Sequence, residues 1–238
     1  MSRDFCFKRF RVAQPRSAMK VGTDGVLLGA WARLEPSQRR ILDIGTGTGL
    51  IALMAAQRTE AWGAEIAGVE IDAGAAEDAR DNFEDSEWSA RLSVVECPVQ
   101  EFHPEEKFDH ILSNPPYFVA SLLSPNESRT TARHTTSLTF EELARSAAEL
   151  LSKEGILSLV LPYDAVADMT LAAARCGLFL VRREDIKTKE NTTPKRSLLE
   201  FGFTPQPTQR TTLTIHIEGG DFSEEYRTLT KDFYLKFQ

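Results

Sequence analysis

The chain has 238 residues, 42% of them hydrophobic and 26% charged, an ordinary balance for one folded α/β domain with a full core. Its formal net charge of −7 argues against a protein that coats nucleic acid by neutralising phosphates, though not against a local basic face. No apolar run approaches the length of a membrane span, the charged N-terminus lacks the apolar stretch of a secretory signal, and the scattered Cys6, Cys97 and Cys176 form no CxxC, which suits a reducing cytoplasm better than a disulfide framework or a zinc site.

The N-terminal stretch is basic: residues 1–20 hold Arg3, Lys8, Arg9, Arg11, Arg16 and Lys20 against Asp4. From residue 40 strand and helix signals alternate. Arg40–Ile44 is a short apolar run ending in a glycine loop, Leu50–Gln57 has helical spacing, and Glu65–Glu70 reads as a strand. Ala73–Phe83 reads as a helix, Arg91–Glu96 and Phe108–Ser113 as strands, and Thr139–Leu151 as a helix with Thr139 as its cap. Gly155–Leu161 is a further strand and Tyr163–Arg175 a helix. Leu178–Ile186, Ser197–Phe203 and Thr211–Ile217 are β-like with no helix between them. A second basic cluster, Arg182, Arg183, Lys187, Lys189, Lys195 and Arg196, falls in this last region. The order predicts a Rossmann-like α/β fold, a doubly wound and mostly parallel sheet with an antiparallel end. Two long loops, Pro115–Leu138 and Lys187–Arg196, are expected to be functional, and ligands are expected outside the carboxyl ends of the strands.

Three motifs fall at those ends. Asp43-Ile44-Gly45-Thr46-Gly47-Thr48-Gly49-Leu50 follows the first of the alternating strands, and its glycines let a ligand approach the backbone at the start of a helix. The dinucleotide fingerprint would need glycine where Leu50 stands. The next strand ends Val69-Glu70-Ile71-Asp72, and Glu70, 25 residues after Gly45, can accept the ribose hydroxyls of a nucleoside. These two motifs leave NAD and S-adenosylmethionine both open.

The third is Ser113-Asn114-Pro115-Pro116-Tyr117-Phe118. Two prolines stop a strand because neither donates to a ladder. The Asn114 side-chain oxygen and the Pro115 carbonyl are two acceptors on a backbone that Pro115 and Pro116 stiffen, and an exocyclic NH2 has two hydrogens to give. Tyr117 offers a flat face for stacking. The stretch suits a planar amine or amide.

DIGTGTGL with VEID and SNPPYF resembles the class I S-adenosylmethionine methyltransferases that act on planar nitrogens. FKRFRVAQPRSAMKVGTDGVLLGAWA near the N-terminus, ARHTTSL after the proline motif and LTKDFYLKF at the C-terminus are similar to the bacterial tRNA(Val) adenosine-N6 methyltransferases, and the likeness spans nearly the whole chain. The resemblance implies a seven-stranded sheet in a single methyltransferase domain over 1–238, with 1–38 facing cofactor and RNA and 39–238 as catalytic core. It implies S-adenosyl-L-methionine bound by Asp43, Gly45, Thr46, Gly47, Glu70 and Ile71, with Thr23 and Asp24 folding over its methionine end and Asn114 bordering it. It implies transfer to an adenine N6 oriented by Asn114, Pro115, Pro116 and Tyr117, with no metal. The partner implied is the anticodon stem-loop of a tRNA, with the two basic clusters as the candidates to hold it. Arg129 and Arg133 could also meet phosphates, whereas His134 is read rather as a structural or capping histidine. The enzyme is expected to be cytoplasmic, with a monomer favoured. One departure stands out. Glu96-Cys97-Pro98-Val99 replaces the usual Gly-Asp that meets the cofactor adenine. The alternative is glutamine-N5 methylation of a release factor, which uses the same proline motif. Those enzymes carry a helical domain ahead of the glycine loop, and only about forty residues precede Asp43 here.

Overall fold

In the computed structural model, which describes residues 4–116 and 138–237, the alternating signals become one eight-stranded sheet. Ahead of it, β1 (Phe5–Cys6) and β2 (Arg11–Val12) form a small antiparallel hairpin, and α1 (Thr23–Trp31) follows. The sheet comprises β3 (Arg40–Ile44), β4 (Glu65–Glu70), β5 (Leu92–Glu96), β6 (Phe108–Ser113), β7 (Leu151–Pro162), β8 (Phe179–Lys189), β9 (Arg196–Gly202) and β10 (Gln209–His216). Its helices are α2 (Leu50–Arg58), α3 (Ala73–Glu84), α4 (Phe140–Leu150) and α5 (Val166–Arg175), and α6 (Glu224–Thr230) lies near the C-terminus.

The strand order is β10-β8-β9-β7-β6-β3-β4-β5. The Rossmann-like, mostly parallel architecture is as expected. Two details differ. The sheet has eight strands rather than seven, because the segment around Thr211–Ile217 adds β10 beside β8 in parallel. The antiparallel strand is not at the end of the sheet. β9 is inserted between β7 and β8 and runs against both, since the hairpin from β8 folds it back inward. The expected loop Lys187–Arg196 is therefore shorter, running over 190–195, with Lys187–Lys189 closing β8 and Arg196 opening β9.

Apolar faces set the layers. Val26 and Leu28 of α1, Leu53 and Met54 of α2, and Phe83 of α3 fill one side of the sheet, together with Tyr226 of α6. Leu143 and Ala147 of α4 and Met169 and Ala173 of α5 fill the other. Thr139 caps α4 as anticipated, in a reciprocal box: its hydroxyl accepts from the Glu142 amide at 3.2 Å, and the Glu142 carboxylate accepts from the Thr139 amide at 2.8 Å.

The start of α2 demands a residue without a side chain. Gly49 has φ +82°, and a Cβ there would stand 2.4 Å from Cε1 of the buried Phe83. Gly49→Ala should therefore destabilise the fold by about 2–4 kcal/mol, from left-handed backbone strain plus overpacking. Denaturant unfolding of the two proteins measures it, and a loss below about 0.5 kcal/mol would mean that the turn relaxes freely.

Candidate active site

The sheet reverses its winding between β3 and β6, and the crevice outside the carboxyl ends of these strands is where ligands of such sheets bind. Ile44 of β3 is in register with Ser113 of β6, and the Ser113 hydroxyl donates to the Ile44 carbonyl at 2.7 Å. The glycine loop and Asn114-Pro115-Pro116 thus leave adjacent strands side by side. Asn114 is half-buried, Pro115 buried and Pro116 exposed. Tyr117 lies outside the described residues, as do Arg129, Arg133 and His134.

The loop itself is bare backbone. Gly45 and Gly47 have φ of +69° and +56°, and nothing stands within 4 Å of where either Cβ would be. The amides of Gly45 and Thr46 both donate to the Val69 carbonyl, at 2.8 and 3.1 Å, which ties the loop to β4. A flat ligand can lie directly on this cradle.

Asp43 is the penultimate residue of β3 and is fully buried. Its Oδ2 accepts from the Thr46 hydroxyl at 2.7 Å, and its Oδ1 has no partner. Burial, helped by the nearby Glu70 charge and opposed by the Thr46 hydrogen bond, pushes its pKa from an ordinary 3.8 up to about 7. The folded state then binds more protons than the unfolded one between about pH 4 and pH 7, so this group's contribution to stability falls as pH rises through that window and is level above it. Asp43→Asn removes the titration. Relative to the native chain, the variant should gain roughly 3 kcal/mol between pH 5 and pH 8, read from unfolding curves at both. Parallel pH profiles would show that Asp43 is ionised throughout.

Glu70 is more occupied than its spacing suggested. Its Oε2 accepts from the Gly47 amide at 2.8 Å, and its Oε1 accepts from the amides of Ile71 and Asp72, each at 2.9 Å. A carboxylate offers about four acceptor positions, so about one remains, on Oε2, for a ribose hydroxyl. The same side chain therefore pins the loop and keeps an acceptor position open. Ile71 is 53% exposed beside it, a large apolar surface open to a planar ring. Cys97 hydrogen-bonds through its amide to the Glu70 carbonyl at 3.0 Å, which places the Cys97-Pro98 turn at the same end of the crevice.

Two residues not picked out from the sequence hold the N-terminal segment over this crevice. Asn82 of α3 donates to the Thr48 carbonyl at 2.9 Å and exchanges two 2.8 Å hydrogen bonds with the Ala13 backbone, linking that segment to the glycine loop. Asp78, one turn earlier, accepts from the amides of Arg16 and Ser17 at 3.1 and 2.8 Å and from the Arg16 guanidinium at 3.0 Å. Burial opposes ionisation of Asp78, yet these donors hold its pKa below the ordinary value. The signal was present: two polar residues one turn apart within the buried stripe of Ala75, Ala79 and Phe83.

Thr23 and Asp24 open α1, whose Gly25 packs on Leu50 at the start of α2, so both stand at the carboxyl edge of the sheet. Asp24 pairs with Arg196 of β9 at 2.7 Å. The described arginines of the two basic clusters pair with carboxylates of the same chain, while the lysines of those clusters have no carboxylate partner among the described residues. Arg9 binds Glu60 and Glu87 at 2.7 and 2.8 Å, and Arg11 binds Asp4 and Asp85 at 3.2 and 2.7 Å. Arg16 binds Glu77, Asp78 and Asp81 at 2.8–3.0 Å. Arg183 pairs with Asp185, and the part-buried Arg182 lies over the Trp31 ring and grips Glu200 at 2.6 Å. Among the described residues, no three or more His, Cys, Asp or Glu are grouped to hold a metal, and no helix is long and apolar enough to cross a membrane.

Comparison with known proteins agrees with this geometry. A family described as "Methyltransferase small domain" matches residues 22–174. A Phocaeicola vulgatus protein named tRNA1(Val) (adenine(37)-N6)-methyltransferase is 50% identical over 231 residues, 97% of each chain. Proteins of the same name from Bacteroides thetaiotaomicron and Trichodesmium erythraeum are 46% and 42% identical, covering 97% and 98% of each chain. Among solved structures, an Agrobacterium tumefaciens protein described as a "predicted O-methyltransferase" superposes with a TM-score of 0.68 at 24% identity, over 88% of this chain and 96% of its own. A Pyrococcus furiosus methyltransferase gives 0.53 at 24% identity, over 76% and 81%. At such identities the structural likeness speaks to the fold.

Proposed function

The chain belongs to the methyltransferase small-domain family and, within it, to the tRNA1(Val) (adenine(37)-N6)-methyltransferases, and on that premise we propose that it methylates N6 of adenosine 37 in tRNA1(Val) with S-adenosyl-L-methionine as methyl donor. Action as a cytoplasmic monomer is part of this reading. The observation that carries it is the register of Ile44 with Ser113, which sets the glycine cradle after β3 beside Asn114-Pro115-Pro116 after the neighbouring β6.

In this reading Gly45, Thr46, Gly47, Glu70 and Ile71 hold S-adenosyl-L-methionine, which supplies an activated methyl group when bound, and the bare cradle and the remaining Glu70 acceptor position fit it. Asp43 sets the loop from below through Thr46. Asn114 and Pro115 accept the two hydrogens of the adenine amine, which fixes the nitrogen and turns its lone pair toward the cradle, with Tyr117 stacking on the ring. The residues position rather than react, so no side chain has to become a nucleophile. A base in an anticodon loop is already unpaired, so presenting it requires less unstacking than extraction from a duplex.

The test is incubation with methyl-labelled S-adenosyl-L-methionine and either tRNA1(Val) or a release factor, with nucleoside and peptide analysis of the products. Label in N6-methyladenosine at position 37, absent from a transcript carrying guanosine there, is the expected result. Label in a glutamine side chain would move the activity to a protein amide.

A further inference from the structure

A second cavity opens on the same sheet edge. β6 pairs Ser113 with Leu159 of β7, and β7 pairs Pro162 with Arg196 of β9, so Arg196 lies two strands from the proline motif, about 10 Å at ordinary strand spacing. There a cavity of about 590 Å3 is walled by Lys195 and Arg196, His216 at the end of β10, and Phe222, Tyr234 and Lys236 of the C-terminal segment.

Its chemistry is uneven. The Lys236 ammonium rests 3.8 Å above the Phe222 ring and 4.9 Å from the Tyr234 ring. His216 packs on Phe222 with centroids 4.7 Å apart. The one carboxylate in the wall, Asp24, is taken by Arg196 at 2.7 Å. Among the described residues neither Lys195 nor Lys236 has a carboxylate partner, whereas Arg9, Arg11, Arg16 and Arg183 each pair with at least one. Two cations without counter-ions over an aromatic floor suit a ligand that is anionic at one end and planar at the other. An adjoining cavity of about 440 Å3, lined by Glu224, Arg227, Lys231 and Lys236, shares Lys236 with it.

Resting on the reading above, we propose that this cavity takes a nucleotide of the anticodon loop adjoining the methylated adenosine, its phosphate against Lys195 and Lys236 and its base on the Phe222–Tyr234 aromatic wall. Single-stranded RNA is held in this way, by cations along the backbone and by stacking that tolerates any base. The site would hold the loop in register, so that one base and not its neighbour reaches Asn114.

The experiment measures binding of full-length tRNA1(Val) and of its isolated anticodon stem-loop across a salt series, for the native chain and for a Lys195→Gln, Lys236→Gln double variant. A Lys195→Arg, Lys236→Arg pair serves as the charge-retaining control. The Gln variant should bind both RNAs on the order of tenfold more weakly, with the slope of log affinity against log salt reduced by roughly 1.5, two contacts at about 0.7 each for a single strand. The Arg pair should restore most of the affinity, and calorimetry should show unchanged affinity for S-adenosyl-L-methionine. Unchanged RNA affinity and slope in the Gln variant overturn the proposal, as does a loss confined to full-length tRNA, which would put the contact outside the loop. A native chain that binds no tRNA overturns both this proposal and the functional reading beneath it.

Discussion

Asn114→Ala should lower the rate of methyl transfer by on the order of a hundredfold or more, while calorimetry shows nearly native affinity for S-adenosyl-L-methionine. The reason lies in the division of labour between strands. The cradle, Glu70 and Ile71 belong to β3 and β4, whereas Asn114 is supplied by β6, and Ser113 locks that strand to Ile44 whether or not Asn114 keeps its amide. Removing the amide should leave the crevice standing and delete one of the two acceptors aimed at the reacting amine. Single-turnover transfer to tRNA1(Val) is the measurement. A variant that turns over at nearly the native rate would remove Asn114 from the chemistry. A variant that loses cofactor affinity in the same proportion would make it a cofactor residue instead.

Glu70→Ala should weaken S-adenosyl-L-methionine by roughly 2–3 kcal/mol, on the order of a hundredfold in affinity. A hydrogen bond from the ligand to a carboxylate accounts for much of this. The rest follows from the glycine loop, because the Gly47 amide, 2.8 Å from Oε2, loses its acceptor and the loop must be ordered by the ligand. Glu70→Gln separates the two contributions. Its amide oxygen can still accept from Ile71 and Asp72, but its NH2 group then faces the Gly47 N–H, so it should bind nearly as weakly as the alanine variant. A glutamine variant with native affinity would reduce Glu70 to an acid at the start of a helix.

Much of this site was legible because its parts are local. A glycine loop, an acid at a strand end and a proline stop are each contiguous, and a parallel sheet brings successive strand ends to one edge without further information. Thr139 announced itself as a cap for the same reason. What could not be read was pairing across the chain. Arg9 meets Glu60 and Glu87, 51 and 78 residues away, and Arg196 meets Asp24 at a separation of 172. A run of arginines looks the same in sequence whether it faces solvent or carboxylates. The interior place of β9 was hidden likewise, since a strand after a hairpin can pair on either side of its partner. The occupation of Glu70 by three amides depends on how tightly the turn after β4 closes, which spacing alone does not encode.

The internal pairing of the arginines bears on how fast an RNA arrives. At low ionic strength, where the screening length reaches about 30 Å at 0.01 M, an approaching polyanion feels the whole body as well as its local cations, and that body carries a net charge of −7. The long-range field therefore slows the encounter instead of steering it, and short-range contacts act only once the loop has reached the sheet edge. Added salt then has two opposed effects: it quickens association by masking the repulsion, and it shortens the lifetime of the docked complex by masking the local cations. Turnover at low tRNA concentration accordingly peaks at an intermediate ionic strength, where arrival and residence are balanced.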